Sequence, residues 1–125
     1  MTYARLTFAL AAVLFALTVS VGTASATTTA QCQAQLSQLR TDTVAAGSSF
    51  TNAKDVNGAV GKLDAAAAKL GEGKNTDATA KLADFQSLLT ALSTAPKPKL
   101  DPAVAASLQD EAQGVIDCIN AIDAP

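Results

Sequence analysis

The sequence contains no histidine and no tryptophan, and its single methionine and single tyrosine both lie within the first three residues. Without an imidazole, the commonest general base and metal ligand is missing, so neither a Ser–His nor a Cys–His nucleophile can be assembled. The His, Met and Tyr ligands that hold haem iron are absent from the rest of the chain. We therefore predict neither a catalytic centre nor a cofactor.

Aromatic and positively charged side chains are also scarce. Aromatic residues make up 4% of the chain, and beyond residue 26 only Phe50 and Phe85 remain. The flat Trp and Tyr faces that stack on sugar rings are therefore missing. The 11 acidic and 9 basic residues give a net charge of -2, which disfavours nucleic-acid binding, since that needs clustered positive charge. We interpret Lys54, Lys62 and Lys69 as solvated side chains of one helix.

The acidic residues form no calcium-binding or catalytic pattern. Asp55-Val56-Asn57-Gly58 begins like a calcium loop, but the remaining ligands and the distal glutamate are lacking. We expect Asp55 to cap a helix instead. Asp110 and Glu111 are neighbours on a predicted helix and point in two directions, so we expect them on a solvated face rather than as an acid–base pair.

Residues 1–26 have the features of a secretory signal peptide. Arg5 precedes an apolar run from Leu6 to Val21, and Ala24-Ser25-Ala26 is a small-x-small cleavage site. An uncleaved anchor is the alternative, but the run is short for a membrane span and no positive cluster follows it. We predict cleavage after residue 26, which leaves residues 27–125 outside the cell, secreted or at the cell envelope, without a stable membrane anchor.

The two cysteines, Cys32 and Cys118, both lie beyond the predicted cleavage site. An exported chain meets oxidising conditions, under which paired thiols persist as disulfides. Two cysteines can pair in one way only, and a pair of functional thiols would need a histidine or a cationic setting. We therefore predict a structural disulfide between Cys32 and Cys118.

Residues 27–125 contain four segments in which apolar side chains recur every three or four residues, as in amphipathic helices. Gly47-Ser48-Ser49 ends the first segment, after which Phe50 is expected to fold back as an anchor. Gly71-Glu72-Gly73 ends the second, and Asp101-Pro102 starts the fourth as a cap followed by proline. The predicted buried stripes are Cys32, Leu36, Leu39, Thr43, Ala46; Val56, Val60, Leu63, Ala67, Leu70; Ala78, Leu82, Phe85, Leu89, Leu92; and Val104, Leu108, Ala112, Val115, Ile119, Ile122, with Ile116 and Cys118 beside the last.

No segment shows the alternating pattern of a β-strand. Four amphipathic helices joined by mostly short loops predict an all-α fold. We expect a small four-helix bundle, with a three-helix core plus an N-terminal helix and one disulfide that joins the first helix to the last. Residues 96–99, with the sequence Pro-Lys-Pro-Lys, should form a stiff and exposed connector between the last two helices.

The segment from about residue 55 to 120 resembles the FIMAH domain, a small helical module of bacterial secreted and surface proteins that is similar to GA-like and FIVAR-type modules. The motifs that carry the resemblance are Lys62-Leu63-Asp64-Ala65, Gly73-Lys74 and Leu82-Ala83-Asp84-Phe85, followed by the Ala- and Leu-rich last helix. The chain departs from the family pattern at Gln86-Ser87-Leu88. The resemblance implies non-catalytic association, with no partner carried over residue by residue.

Two functions are compatible with these observations. The first is a secreted, non-catalytic helical module that associates with an extracellular protein or a cell-envelope component. The second is a carrier that holds an apolar, lipid-like ligand inside the bundle, which requires a continuous apolar cavity. For the first function, Lys97 and Lys99 in the exposed connector are the candidate interaction residues.

The signal peptide predicts the N-terminus of the exported protein. We expect the protein recovered from the culture medium to begin at Thr27, because signal peptidase cuts after the small residue of the Ala24-Ser25-Ala26 site. Intact-mass spectrometry of that protein tests this expectation. Recovery of a membrane-bound form that still begins at Met1 would contradict it.

Overall fold

Four α-helices make up most of the described chain. The computed structural model describes residues 27–94 and 96–123, so the predicted signal peptide lies outside the described residues. A short 3₁₀ turn, Ala46–Ser49, follows the first helix. The helices are α1 Thr29–Ala45, α2 Ala53–Gly71, α3 Asn75–Thr94 and α4 Pro102–Asp123.

Each helix packs against the next one along the chain, and α4 returns to pack against α1. The short connections make neighbouring helices antiparallel, so the four helices form a closed up-down-up-down bundle. Within the described ranges there is no β-strand, only an isolated bridge between Phe50 and Leu100. The predicted all-α four-helix bundle is confirmed.

Polar side chains fix where the helices begin. The Thr28 hydroxyl accepts from the Gln31 amide at 3.2 Å, and the Gln31 side chain accepts from the Thr28 amide at 2.9 Å, which forms a capping box at the start of α1. Asp101 accepts from the Ala103 amide at 2.9 Å and caps α4, as predicted. The prediction that Asp55 caps a helix was wrong. Asn52 occupies the capping position of α2, and Asp55 lies in the first turn, where its charge favours the positive end of the helix.

Gly73 ends the α2 helix by adopting a backbone conformation that other residues rarely take. Its φ is +78°, in the left-handed region. The Gly73 amide donates to the Leu70 carbonyl at 3.1 Å, and the Lys74 amide donates to the Lys69 carbonyl at 2.9 Å. These are the two hydrogen bonds of a Schellman motif, which satisfy carbonyl groups that the helix end would otherwise leave open.

The core lies between the four helices and consists mainly of Leu and Ala side chains, and Phe85 is its largest fully buried side chain. All five residues of the predicted α3 stripe are buried, as are the α1 stripe residues from Cys32 to Thr43. Thr43 is the buried polar residue of this core, and its hydroxyl donates to the Leu39 carbonyl at 2.8 Å. The predicted helical phase of α3 is therefore confirmed, and that of α1 is confirmed as far as Thr43. Ala46, the last residue of the predicted α1 stripe, is only half-buried and lies in the 3₁₀ turn.

The predicted α2 stripe needs a correction in part. Ala59 and Ala66 are fully buried, whereas Val56, Val60 and Ala67 are only half-buried. The α4 helix shows the same shift, because Ala105 is buried while the predicted residues Val104 and Ile122 lie at the edge of the core. In both helices, therefore, small alanine side chains are buried, and larger apolar side chains beside them lie at the edge of the core.

A disulfide joins Cys32 in the first turn of α1 to Cys118 near the end of α4, with Cα atoms 5.7 Å apart. The predicted pairing is confirmed. Cys32 is fully buried, and Cys118 is 9% exposed. Within the described residues, no helix is long and apolar enough to cross a membrane.

Replacing both cysteines, in C32S/C118S, should lower the free energy of unfolding. The bond closes a loop with a sequence separation of 86. Loop-closure entropy gives an upper value of about 4–5 kcal/mol for the loss. Urea unfolding of the oxidised protein, the reduced protein and the variant measures this loss of unfolding free energy. The reduced protein should match the variant, and an unchanged urea midpoint in both would contradict the prediction.

Two glycine substitutions in α2 and its C-terminal turn should have opposite effects. Gly61 is exposed inside α2, and an added Cβ would meet nothing within 4 Å, so Gly61→Ala should stabilise the fold by about 0.5–1 kcal/mol. Gly73→Ala should destabilise it by about 1 kcal/mol, because alanine is strained at positive φ. The urea unfolding midpoints of the two variants, compared with that of the wild type, test this prediction. A shift of both midpoints in the same direction would contradict it.

Candidate functional site

The predicted interaction residues lie at one end of the bundle, on the segment that links α3 to α4. The predicted connector, residues 96–99, is exposed throughout, including Lys97, Lys99 and the two prolines beside them. The structure thus agrees with the prediction of an exposed connector, and the prolines restrict its backbone. From here on, the connector also includes the buried Leu100 and the Asp101 cap, and therefore spans residues 96–101.

Backbone hydrogen bonds hold the connector against the rest of the bundle. The Lys99 amide donates to the Leu92 carbonyl of α3 at 2.8 Å. The Thr51 amide donates to the Lys99 carbonyl at 2.7 Å, and the Asp101 amide donates to the Ser49 carbonyl at 3.3 Å. The connector is therefore tied both to α3 and to the loop between α1 and α2.

Two apolar side chains reinforce this attachment. Phe50 and Leu100 form an antiparallel bridge, and both belong to the core, with exposures of 6% and 1%. The prediction that Phe50 folds back as an anchor is confirmed, whereas the sequence analysis did not identify Leu100 as its partner. The sequence signal that could have identified Leu100 is its apolar side chain between Lys99 and the Asp101 cap. The result is that Lys99 projects from a fixed backbone.

A second feature is a groove of about 570 Å³ on the outer side of the α1–α4 contact, beside the disulfide. The groove opens to solvent. Glutamine residues of α1 line one side of it, and Gly114, which has no side chain, lies on the α4 side. We call it the seam groove. Its lining residues are Thr27, Gln31, Ala34, Gln35, Gly114, Asp117 and Cys118.

A smaller hollow of about 150 Å³ lies between α1 and α2, next to an ion pair. The Arg40 Nε and Asp64 Oδ1 atoms are 2.7 Å apart, and both side chains are about half exposed (51% and 53%). Exposed ion pairs contribute little to stability, because water and salt screen them. This hollow is therefore a shallow surface feature and offers no enclosed site.

Of the three lysines interpreted as solvated, Lys54 is exposed as predicted, whereas Lys62 and Lys69 are half-buried. Lys69 Nζ also lies 4.0 Å from a carboxylate oxygen of Glu72, which in turn is 3.3 Å from Lys74 Nζ. These residues form a surface ion-pair group at the α2–α3 turn.

Glu111 departs from the sequence-based expectation. Asp110 is exposed as predicted, but Glu111 is half-buried in the contact between α4 and α1. Burial, followed by the hydrogen bond and the negative charge of Asp42, raises the pKa of Glu111 from 4.5 to about 7. The expected solvated face was wrong for Glu111, because the α1–α4 contact places a second carboxylate against it.

This carboxyl pair links two helices. Asp42 also accepts from the Gln38 side chain at 2.9 Å, one turn earlier on α1. A carboxyl group that titrates near neutrality has a pKa suited to proton transfer. The partner of Glu111, however, is the side chain of Asp42, which in turn accepts from Gln38. Asp42 and Gln38 both belong to the contact between α1 and α4. In the described ranges, no group of three or more His, Cys, Asp or Glu residues could hold a metal ion.

Compared with known protein families, curated proteins and solved structures, the chain matches none of them. The resemblance of residues 55–120 to the FIMAH domain therefore stays a prediction.

Proposed function

We propose that residues 27–125 form an exported, non-catalytic binding module that uses the connector end of the bundle to hold an extracellular protein or a cell-envelope component. The observation that carries the proposal is the fixed presentation of Lys97 and Lys99. Both residues are exposed, and the backbone of Lys99 is hydrogen-bonded to α3 and to the α1–α2 loop, while Lys97 lies between Pro96 and Pro98. Binding then orders little additional backbone, which lowers its entropic cost.

The charge of the connector indicates the chemistry of the partner. Lys97 and Lys99 are separated by one proline, and the connector's acidic residue, Asp101, caps α4 through its side chain. A partner surface that carries carboxylate or phosphate groups fits this arrangement. Such an attraction is screened by salt, so we expect capture to weaken as the ionic strength rises.

Export is the second part of the proposal. The Cys32–Cys118 disulfide is compatible with an oxidising compartment, where such bonds form and persist. The signal-peptide features of residues 1–26 support the same localisation. The resemblance to the FIMAH domain supports a role in association without catalysis.

The apolar-carrier alternative gains no support from the cavities described above. The seam groove is open to solvent, and its lining mixes Gln31, Gln35 and Asp117 with small residues, so it encloses no apolar cavity. At the centre of the bundle, Leu63, Leu82 and Phe85 are buried and belong to one packed cluster. A lipid-like ligand would have to separate these side chains, which costs packing energy.

The double variant K97E/K99E tests the proposal. The tagged, exported protein is used to capture partners from culture supernatant and from cell-wall extract, and captured material is identified by mass spectrometry. We expect a partner held by the wild type to be lost or reduced at least about tenfold with the variant, because the two charge reversals replace attraction by repulsion. Melting temperatures should agree to within about 2 °C, since surface substitutions change stability little.

The double variant K62E/K81E is the matched control. It makes the same change in net charge on α2 and α3, away from the connector, and should retain the partner. Equal loss of capture with both double variants would show a general charge effect and contradict the proposed surface. Stoichiometric lipid bound to the purified wild type, with capture unaffected by K97E/K99E, would favour the carrier instead.

A further inference from the structure

The disulfide presents its two cysteines differently to solvent. Cys118 is 9% exposed and belongs to the lining of the seam groove, whereas Cys32 is fully buried and is not part of that lining. The groove opens to solvent, and its volume of about 570 Å³ is typical of sites that take small molecules. A reagent in the groove therefore approaches the disulfide from the Cys118 side.

A disulfide is opened by a thiolate, which attacks one sulfur atom and displaces the other. The rate depends on which sulfur the thiolate reaches and on how well the displaced sulfur carries negative charge. Because the Sγ atoms of Cys32 and Cys118 are bonded to each other, attack at one of them displaces the other. The direction of opening is thus decided by the difference between their surroundings.

The helix ends favour Cys32 as the displaced sulfur. Cys32 lies in the first turn of α1, where its amide donates to the Thr28 carbonyl at 3.2 Å. The positive end of a helix stabilises the negative charge that a displaced sulfur takes up. Cys118 lies near the negative end of α4 and next to Asp117, and both of these features disfavour such a charge. Access and charge therefore favour the same direction.

The charge of the groove indicates which thiol it suits. Among the described residues that line the groove, Asp117 is the charged one; it is exposed, and its Oδ1 atom accepts from Gln113 at 3.0 Å. The α4 sequence from Pro102 to Asp123 contains neither lysine nor arginine. A carboxylate beside the attacked sulfur attracts a cationic thiol and repels an anionic one.

We propose that Cys118 is a thiolation site, at which a small thiol that carries an ammonium group enters the seam groove and forms a mixed disulfide. The incoming thiolate forms a bond to Cys118 Sγ, and the bond between the two cysteine sulfurs breaks. Its electron pair leaves with Cys32, whose buried sulfur takes up a proton from solvent and becomes a thiol. The incoming sulfur is oxidised and Cys32 is reduced, so no further oxidant or reductant is required.

The step is reversible and changes how the bundle is held. The freed Cys32 thiol lies beside the mixed disulfide and displaces the small thiol again when the concentration of that thiol falls. While Cys118 is modified, α1 is not joined covalently to α4, and the stabilisation due to loop closure is lost. The amount of modified protein therefore follows the thiol concentration around it.

The first experiment identifies the modified cysteine. The native, disulfide-bonded protein is incubated briefly with cysteamine, quenched in acid and alkylated, and peptide mapping by mass spectrometry locates both labels. We expect cysteamine on Cys118 and the alkyl group on Cys32, in at least about tenfold excess over the reverse arrangement, because access and charge favour one direction. Equal amounts of the two arrangements, or an excess of cysteamine on Cys32, would overturn the proposal.

The second experiment tests the charge of the groove. Rates are measured with cysteamine, 2-mercaptoethanol and 3-mercaptopropionate, expressed per thiolate and divided by the rates with 2-hydroxyethyl disulfide. We expect the rate to fall in that order, and Asp117→Asn should reduce the ratio of the first rate to the last by about threefold or more. The matched control, Asp110→Asn, removes a charge from an exposed position about two turns earlier on α4 and should keep the ratio. An equal change in both variants, or no charge preference in the wild type, contradicts the proposed cationic thiol.

A glycine pair tests entry through the groove. Gly114 and Gly61 are both exposed within helices, and an added Cβ would meet nothing within 4 Å at either position. Gly114 lines the groove, so Gly114→Leu should slow the reaction with cysteamine by about threefold or more, because the attacking thiolate loses access. Gly61→Leu makes the same change on α2 and should leave the rate unchanged. Equal rates in the two variants would contradict entry through the groove.

Urea separates this route from reduction of the unfolded chain. If the folded protein reacts, the rate with cysteamine should change little in urea concentrations well below the unfolding midpoint. A reaction that requires unfolding accelerates from the lowest urea concentration, with the slope of the unfolding free energy. That second behaviour in the wild type would overturn the proposal, whatever the variants do.

Discussion

The contact between the first and the last helix is the constraint on which this bundle depends. The other helix contacts join neighbours along the chain, so a short loop already brings the two helices together. The α1–α4 contact joins segments at opposite ends of the described chain, and its formation requires closure of almost the whole chain. The Cys32–Cys118 bond removes that entropic cost from folding once it has formed.

The composition of the core explains why a covalent link is useful here. Alanine makes up much of this core, with Ala59, Ala66, Ala105 and Ala112 all buried. Alanine lets helices approach closely but buries little apolar area, so each contact contributes less hydrophobic stabilisation than a leucine contact would. A chain of this size has a small margin of stability, and the cross-link adds to it without enlarging the core.

Most of the fold could be predicted from the sequence because its signals are local. Glycine, proline and capping residues mark the helix ends, and the period of the apolar residues gives the buried face of α3 correctly. The predicted buried face of α2 was wrong in part, because burial in this helix depends on how a neighbouring helix packs against it. Val60 has the more hydrophobic side chain, but the smaller Ala59 is the residue that is fully buried. Hydrophobicity alone does not record such a preference.

The carboxyl pair shows where prediction from a single sequence ends. Asp42 and Glu111 lie on different helices, and each looks like an ordinary surface acid in its own segment. Their meeting depends on the register of α1 against α4, which the disulfide helps to fix. Asp42 lies about three turns from Cys32, and Glu111 about two turns from Cys118 in the opposite direction. Once the disulfide is assigned, an antiparallel α1–α4 pair places these two acids near each other.

The end of α1 and the connector are joined through the loop that follows α1. Asp42 lies in the last turn of α1, and the loop beyond it, residues 46–52, holds the connector through the Ser49 carbonyl and the Thr51 amide. The backbone position of Lys99 therefore depends on how the end of α1 is held in the bundle. The surface proposed for binding is thus supported by the same helix whose start the disulfide joins to α4.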